Sequence, residues 1–285
     1  MTKIDNGWSR RRLIAYWIAT GIIATEFAAG GVTDLLRLPP FFAIAKHLGY
    51  PDYFPMILGV WKVLGVAAVL APWFPRLKEW AYAGMFFNMT GAAASHLAAG
   101  DPPVMLVAPI IFTGLVVASW ALRPAARRDD LVPPLSSSRS RNIVYWVATG
   151  LLALECAVGG VMGALRLSPF SGIMAHLGYP PYLMTIIGLW YVLAGIALLA
   201  PRFPRLKEWA YAGLVFVYTG AIVSRLAVGD PVATLAGPMI FTGLVAASWA
   251  LRPSDRRTGY HKASLAYYFT HRLNHEPAAN CRQDC

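Results

Sequence analysis

The chain has 285 residues, 57% hydrophobic and only 14% charged, with 25 Lys plus Arg against 14 Asp plus Glu and a net charge of +11. Soluble domains carry about 25% charged residues, so this balance points to lipid. A disordered chain needs low hydrophobicity and a disulfide scaffold needs many cysteines; this chain has three, and both classes are excluded. Its basic residues fall between long apolar runs rather than on one water-facing patch, so no nucleic-acid partner is needed to explain the charge.

One unit is written twice. A shift of 129 residues aligns 14–124 with 143–253 without a gap, and 69 of the 111 positions are identical. In chain order, residues 1–124 form the first unit, 125–141 a polar linker rich in Arg, Ser, Pro and Asp, 142–253 the second unit, and 254–285 a polar tail. The first unit holds apolar stretches at 13–33, 53–73, 80–99 and 104–122; the second repeats them at 143–162, 182–200, 209–228 and 232–251. Each is close to the roughly 20 residues that cross a bilayer as a helix. None alternates as a barrel strand would, and backbone groups in lipid must be satisfied internally, so the predicted fold is all-α. The expectation is a polytopic membrane protein with eight transmembrane helices in two four-helix bundles. Basic residues before the first stretch resemble a secretory signal, but the run is long and contains Glu26, so it reads as a retained helix.

Of the 25 basic residues, 20 fall at the N-terminus, in the linker, in the tail and in the loops between the second and third stretches of each unit. The opposite loops carry only Arg37, Lys46 and Arg166, together with the Gly-Asp-Pro turns at Asp101 and Asp230. The positive-inside rule therefore puts both termini in the cytoplasm. An even number of spans per unit gives both copies the same orientation, as parallel repeats about an axis along the membrane normal. Trp80 and Trp209 read as interfacial anchors, and Gly91, Ser95, Gly220 and Ser224 as small residues for close helix approach. Pro109 and Pro238 should bend the fourth helix of each unit.

Ionisable residues inside these stretches are the candidates for chemistry, because a charge at the bilayer centre costs about 2.5–3.5 kcal/mol on insertion scales. They are Glu26 and Lys62 in the first and second stretches, His96 late in the third, and Glu155 in the second copy. At about 1.5 Å per residue, Glu26 and Lys62 fall at similar depth, which predicts that they pair. In the second copy Tyr191 replaces Lys62 and Arg225 replaces His96. Glu155 is then left either to pair with Arg225 or to accept a hydrogen bond from Tyr191. Two readings stand: a ligand site or proton relay in each bundle, or buried ion pairs that only fix helix register. The repeated His-Leu-Gly-Tyr-Pro places His47, Tyr50, His176 and Tyr179 in an outer loop, read as a turn that covers the bundle mouth.

Other chemistry finds little support. Cys156 has no cysteine at its equivalent position, Phe27, and no Cys-x-x-Cys occurs. His271, His275, Cys281 and Cys285 in the tail offer four zinc-binding side chains, but five residues between the pairs are too few for a finger, and a disordered tail is the preferred reading. There is no nucleotide-binding glycine loop, no Gly-x-Ser-x-Gly and no His-Glu-x-x-His, and no matched pair of helical histidines for haem, so no metal site is expected.

The repeated unit resembles the DoxX-like family of membrane proteins. The likeness rests on four helices in about 110 residues, with His-Leu-Gly-Tyr-Pro before the second. It continues in Gly59-Val-Trp61-Lys62-Val-Leu-Gly65, in Arg76-Leu-Lys-Glu-Trp-Ala-Tyr-Ala-Gly84, in Ser95-His96-Leu-Ala-Ala-Gly-Asp101 and in Ser119-Trp-Ala-Leu-Arg-Pro124. The first copy matches better, since Tyr191 and Arg225 break the Lys and His positions. The resemblance implies a bacterial inner-membrane module. Some relatives accompany redox enzymes, the name being tied to a subunit of a thiosulfate:quinone oxidoreductase, and others resemble assembly chaperones of membrane receptors. The resulting expectation is a membrane subunit of a redox system that binds a quinone or another lipid-soluble molecule. Its partners would be the bilayer and a redox protein, with nothing bound covalently. Glu26, Lys62 and His96 would line one site, and Glu155, Tyr191 and Arg225 a second. The alternative is a non-catalytic scaffold or assembly chaperone. A small-solute transporter is disfavoured by the few polar positions. Whether the chain itself catalyses a reaction is left open by its residues.

Overall fold

The computed structural model describes residues 10–124, 127, 138–201, 203–253 and 256, and among these every regular element is helical. Most of the linker at 125–141 and of the tail at 254–285 lies outside the described residues, including His271, His275, Cys281 and Cys285. The first copy contains α1 (Arg10–Leu35), α2 (Phe41–His47), α3 (Phe54–Leu70), α4 (Pro75–Ala99) and α5 (Val104–Ala121). The second contains α6 (Arg139–Ala164), α7 (Phe170–His176), α8 (Pro181–Leu199), α9 (Pro204–Ala227) and α10 (Ala236–Leu251), the last entered through a 3-10 turn at Val232–Leu235.

Six of these segments are long and apolar enough to cross a membrane: Arg10–Leu35, Val104–Ala121, Arg139–Ala164, Pro181–Leu199, Pro204–Ala227 and Val232–Leu251. Phe54–Leu70 is apolar but has only 17 residues. Pro75–Ala99 carries Arg76, Lys78, Glu79, Asn88 and His96. Large apolar side chains cover the outside, Ile18 and Ile110 each being 58% exposed, a surface that only lipid would tolerate. The third helix of each copy begins about five residues earlier than its hydropathy suggests, because Pro75 and Pro204 start it and proline's fixed φ suits the first helical turn.

Within the first copy α1, α3, α4 and α5 form a four-helix bundle, and α6, α8, α9 and α10 form its equivalent. The closest approach lies between the first two long helices of each bundle. A Cβ on Gly59 would lie 2.8 Å from the Gly31 carbonyl, and one on Gly188 only 2.3 Å from the Ala164 nitrogen. By contrast Gly91 and Gly220, expected to serve close packing, have no atom within 4 Å of a built Cβ; they face open space. Buried polar groups tie the remaining helices. Thr20 shares a 2.7 Å hydrogen bond with Ser119, which pairs with Tyr82 at 2.7 Å; Thr149, Ser248 and Tyr211 repeat the arrangement. Lys78 is buried and donates to the carbonyls of Ala68 (3.1 Å), Ala71 and Trp73 (2.9 Å), a cation on the carbonyl end of α3.

The bundles meet mainly through α4 and α9, and the contacts are reciprocal. At one end the Trp80 indole donates to Glu208 (2.9 Å) and the Trp209 indole to Glu79 (3.1 Å). These two tryptophans thus face the opposite bundle, correcting the expectation of interfacial anchors. Each carboxylate is also held within its own bundle, Glu79 by Arg123 at 2.5 Å and Glu208 by Arg252 at 2.7 Å. Midway, the Phe216 ring rests on Gly84 and the Phe87 ring on Gly213. At the other end the Tyr53 hydroxyl donates to the Leu177 carbonyl (2.6 Å) and the Tyr182 hydroxyl to that of Leu48 (2.5 Å).

Candidate functional site

Between these two sets of crossed contacts lies a cavity of about 740 Å³ lined by both bundles. Its walls are apolar and aromatic, with Trp61, Phe87, Trp190 and Phe216 at mid-depth; Phe87 and Trp190 meet edge to face at 4.1 Å and Trp61 and Phe216 at 4.8 Å. Gly91 and Gly220 also line it, which explains the open space above them. At the end with the Tyr–carbonyl contacts Tyr50 and Tyr179 reach the cavity, each sharing a 2.7 Å hydrogen bond with Ser95 or Ser224. Gly49 and Gly178, with φ of +77° and +75°, make the turn that sets these tyrosines, a left-handed backbone that suits glycine.

The charged groups and the amide at mid-depth belong to the first bundle. Lys62, midway along α3, forms a 2.7 Å ion pair with Asp34 of α1; the side chains are 11% and 4% exposed. One ammonium proton goes to Asp34 and the face of Phe41 lies 5.3 Å from the nitrogen, while the other two protons have no acceptor among the described residues. Asn88, midway along α4, lines the cavity, and its amide has no hydrogen-bond partner among the described residues.

The structure therefore redistributes the candidates. Lys62 pairs with Asp34 and not with Glu26, because about two turns nearer the C-terminal end of α1 a carboxylate faces α3. Glu26 and Glu155 are half-buried and do not line the cavity. His96 does not join Lys62; its Nδ1 lies 2.6 Å from Asp101, whose other oxygen meets His47 Nε2 at 2.7 Å. In the second copy Asp230 takes the same place, 2.6 Å from His176 and 3.0 Å from Arg225, so Arg225 is committed there and forms no pair with Glu155. Hydrogen bonding from His96 and His47 holds the Asp101 carboxyl below its ordinary pKa, and His176 then Arg225 do the same for Asp230. Tyr191 does line the cavity, buried beside Tyr218 with ring centroids 6.0 Å apart. Of the six intramembrane candidates, only Lys62 and Tyr191 reach the cavity; of the four outer-loop residues, Tyr50 and Tyr179 do.

Asp34, Asn88, Asp101 and Asp230 are the residues that sequence reasoning missed. A signal for the first was present: the equivalent of Asp34 is Gly163 and that of Lys62 is Tyr191, so acid and base disappear together in the second copy. No cluster of three or more His, Cys, Asp or Glu side chains suited to a metal occurs among the described residues.

No curated protein and no solved structure matches the chain. The sequence pattern of the DoxX-like family does, over residues 18–119 and again over residues 147–248. With its apolar helices the chain is an integral, multi-pass membrane protein, and it belongs to the DoxX-like family as a tandem duplication of the family's unit.

Proposed function

We propose that the protein is a membrane subunit of a redox system and that it holds a quinone, or a lipid-soluble molecule of similar chemistry, in the cavity between its bundles. The cavity carries this reading. Its volume of about 740 Å³ falls within the roughly 300–1,000 Å³ of small-molecule sites, and it pairs apolar walls with a few placed polar groups. The unpartnered Asn88 amide and the spare protons of Lys62 fit the oxygens of such a ligand. A bound quinone supplies carriage of electrons and protons. The chain's own residues orient its ring among Trp61, Phe87, Trp190 and Phe216 and exclude water at both ends through the crossed Trp–Glu and Tyr–carbonyl bonds. The redox assignment itself rests on the family. The reciprocal contacts and the charge asymmetry support eight spans in the bacterial inner membrane, parallel repeats about the membrane normal, and cytoplasmic termini.

The test is mass spectrometry of the protein extracted in native lipid discs, beside the Gly91→Leu variant. The new side chain would point into the cavity, where a Cβ meets nothing within 4 Å. A near-stoichiometric quinone or isoprenoid in the wild type and its loss from the variant is the expected result. A stoichiometric partner protein with no small molecule in either sample would overturn the proposal in favour of the scaffold.

A further inference from the structure

Equivalent helices of both copies frame the cavity, yet its mid-depth charge and amide belong to one wall. Asp34, Lys62 and Asn88 line the first bundle's side; the equivalent residues are Gly163, Tyr191 and Val217, none of them charged and only the tyrosine polar. Resting on the reading that the cavity takes a lipid-soluble molecule, we infer that it holds one such molecule per chain in one orientation. A neutral, hydrogen-bond-accepting head sits against Lys62 and Asn88, and the apolar body lies along the second bundle.

The chemistry of the wall selects the head. A cationic head needs a free carboxylate, but Asp34 is engaged by Lys62 at 2.7 Å. An anionic head needs net positive charge to offset its desolvation in lipid, and the Asp34–Lys62 pair is neutral as a unit. What remains on offer is donors: two ammonium protons without an acceptor among the described residues, and the NH₂ of Asn88. Carbonyl oxygens satisfy them without bringing in charge, and a donor facing hydrocarbon with no acceptor is costly. On the facing wall Leu183, Ile187, Leu193 and Val217 offer only apolar surface. Tyr191 does not rebuild the head site there, because it packs into the second bundle's core with Cys156, Leu214 and Tyr218.

The test uses the full chain in lipid discs of fixed composition, titrated with decylubiquinone and read by quenching of tryptophan fluorescence, since Trp61, Trp80, Trp190 and Trp209 line the cavity. Two variants copy the second wall onto the first: Asn88→Val, and Asp34→Gly with Lys62→Tyr. Both use residues that the equivalent positions already carry, and circular dichroism checks their folding. The expected result is saturation at one quinone per chain and a Kd raised at least tenfold by each variant. Two quinones per chain, or unchanged affinity in both folded variants, overturns this inference and leaves the cavity reading standing. Absence of saturable quenching in the wild type, or equal quenching in Gly91→Leu, overturns the cavity reading and this inference with it.

Discussion

Replacing Lys62 by Met removes one half of an ion pair whose other half is almost fully enclosed, Asp34 being 3% exposed. The methionine keeps the length of the stem, so the loss is electrostatic: Asp34 forfeits its 2.7 Å partner while its carboxylate stays buried. Breaking a buried pair from one side costs about 3–5 kcal/mol, a large share of the roughly 5–15 kcal/mol that holds a typical domain together. Asp34→Gly alone strands the ammonium and is expected to cost a similar amount. The double variant, Asp34→Gly with Lys62→Tyr, leaves no charge behind. It should lie within about 1 kcal/mol of wild type, because replacing a buried pair outright is often neutral. Reversible unfolding in mixed micelles, followed by tryptophan fluorescence, measures Lys62→Met and the four corners of the cycle: wild type, Asp34→Gly, Lys62→Tyr and the double variant. A coupling energy near 3 kcal/mol or more is expected. A double variant as unstable as Lys62→Met, or a Lys62→Met protein within 1 kcal/mol of wild type, would refute the claim that the pair is a self-contained unit.

Other consequences can be measured on the same preparation. Gly188→Ala forces a Cβ to within 2.3 Å of the Ala164 nitrogen and 2.6 Å of the Gly160 carbonyl, so α6 and α8 must separate; a loss of about 3 kcal/mol or more is expected by the same unfolding assay, and a loss below 1 kcal/mol would contradict the packing. Trp80→Phe and Trp209→Phe each delete one indole bond to a buried carboxylate across the bundle interface, so each should cost about 1.5–3 kcal/mol and the two losses should match; strongly unequal losses would argue against reciprocal contacts. The carboxyls of Asp101 and Asp230 are held below their ordinary 3.8, so the outer clasps contribute fully above that pH and loosen as pH falls through the depressed value. Hydrogen exchange across the 96–104 and 225–233 segments should thus be unchanged from pH 7 to about 5 and accelerate, beyond its intrinsic pH dependence, only below about 4; protection that is already lost by pH 5 would refute the assignment.

The long helices were legible because hydropathy reports a property of whole segments, while the short α2 and α7, read as loop, were not; the 69 identities between copies reported the duplication directly. Side-chain partnerships were not, since they depend on helix rotation as well as depth. Residue counting puts Glu26 and Lys62 at one depth, but Lys62 packs beside Gly31, more than a turn along α1 from Glu26, and reaches Asp34. The residues of Gly91 and Gly220 illustrate the same gap. A small residue in an apolar helix marks either a close approach or an opening, and only the neighbouring helix decides which; here the close approaches fall at Gly59 and Gly188. Asp101 and Asp230 looked like turn residues in Gly-Asp-Pro, and their role emerges only when α2 and α7 bring His47 and His176 over them. Repeat arithmetic carried more than it first yields: positions 34 and 62 change together between the copies and form an ion pair in the first, while 96 changes in kind and its partner aspartate stays.

Divergence between the copies also explains why fusion matters. In a symmetric dimer of single units any residue at position 62 would appear on both walls of the interface cavity, and two ammonium groups would face the same apolar space. Joined in one chain, the copies were free to differ. The second carries neither the acid nor the base, and with glycine at 163 its α6 and α8 pack more tightly than α1 and α3, a Cβ on Gly188 meeting backbone at 2.3 Å where one on Gly59 meets it at 2.8 Å. The first carries the pair together with Asn88. Donors on one wall and hydrocarbon on the other give the cavity a direction that two identical walls cannot have, and direction is what a ligand with a polar head and an apolar tail requires.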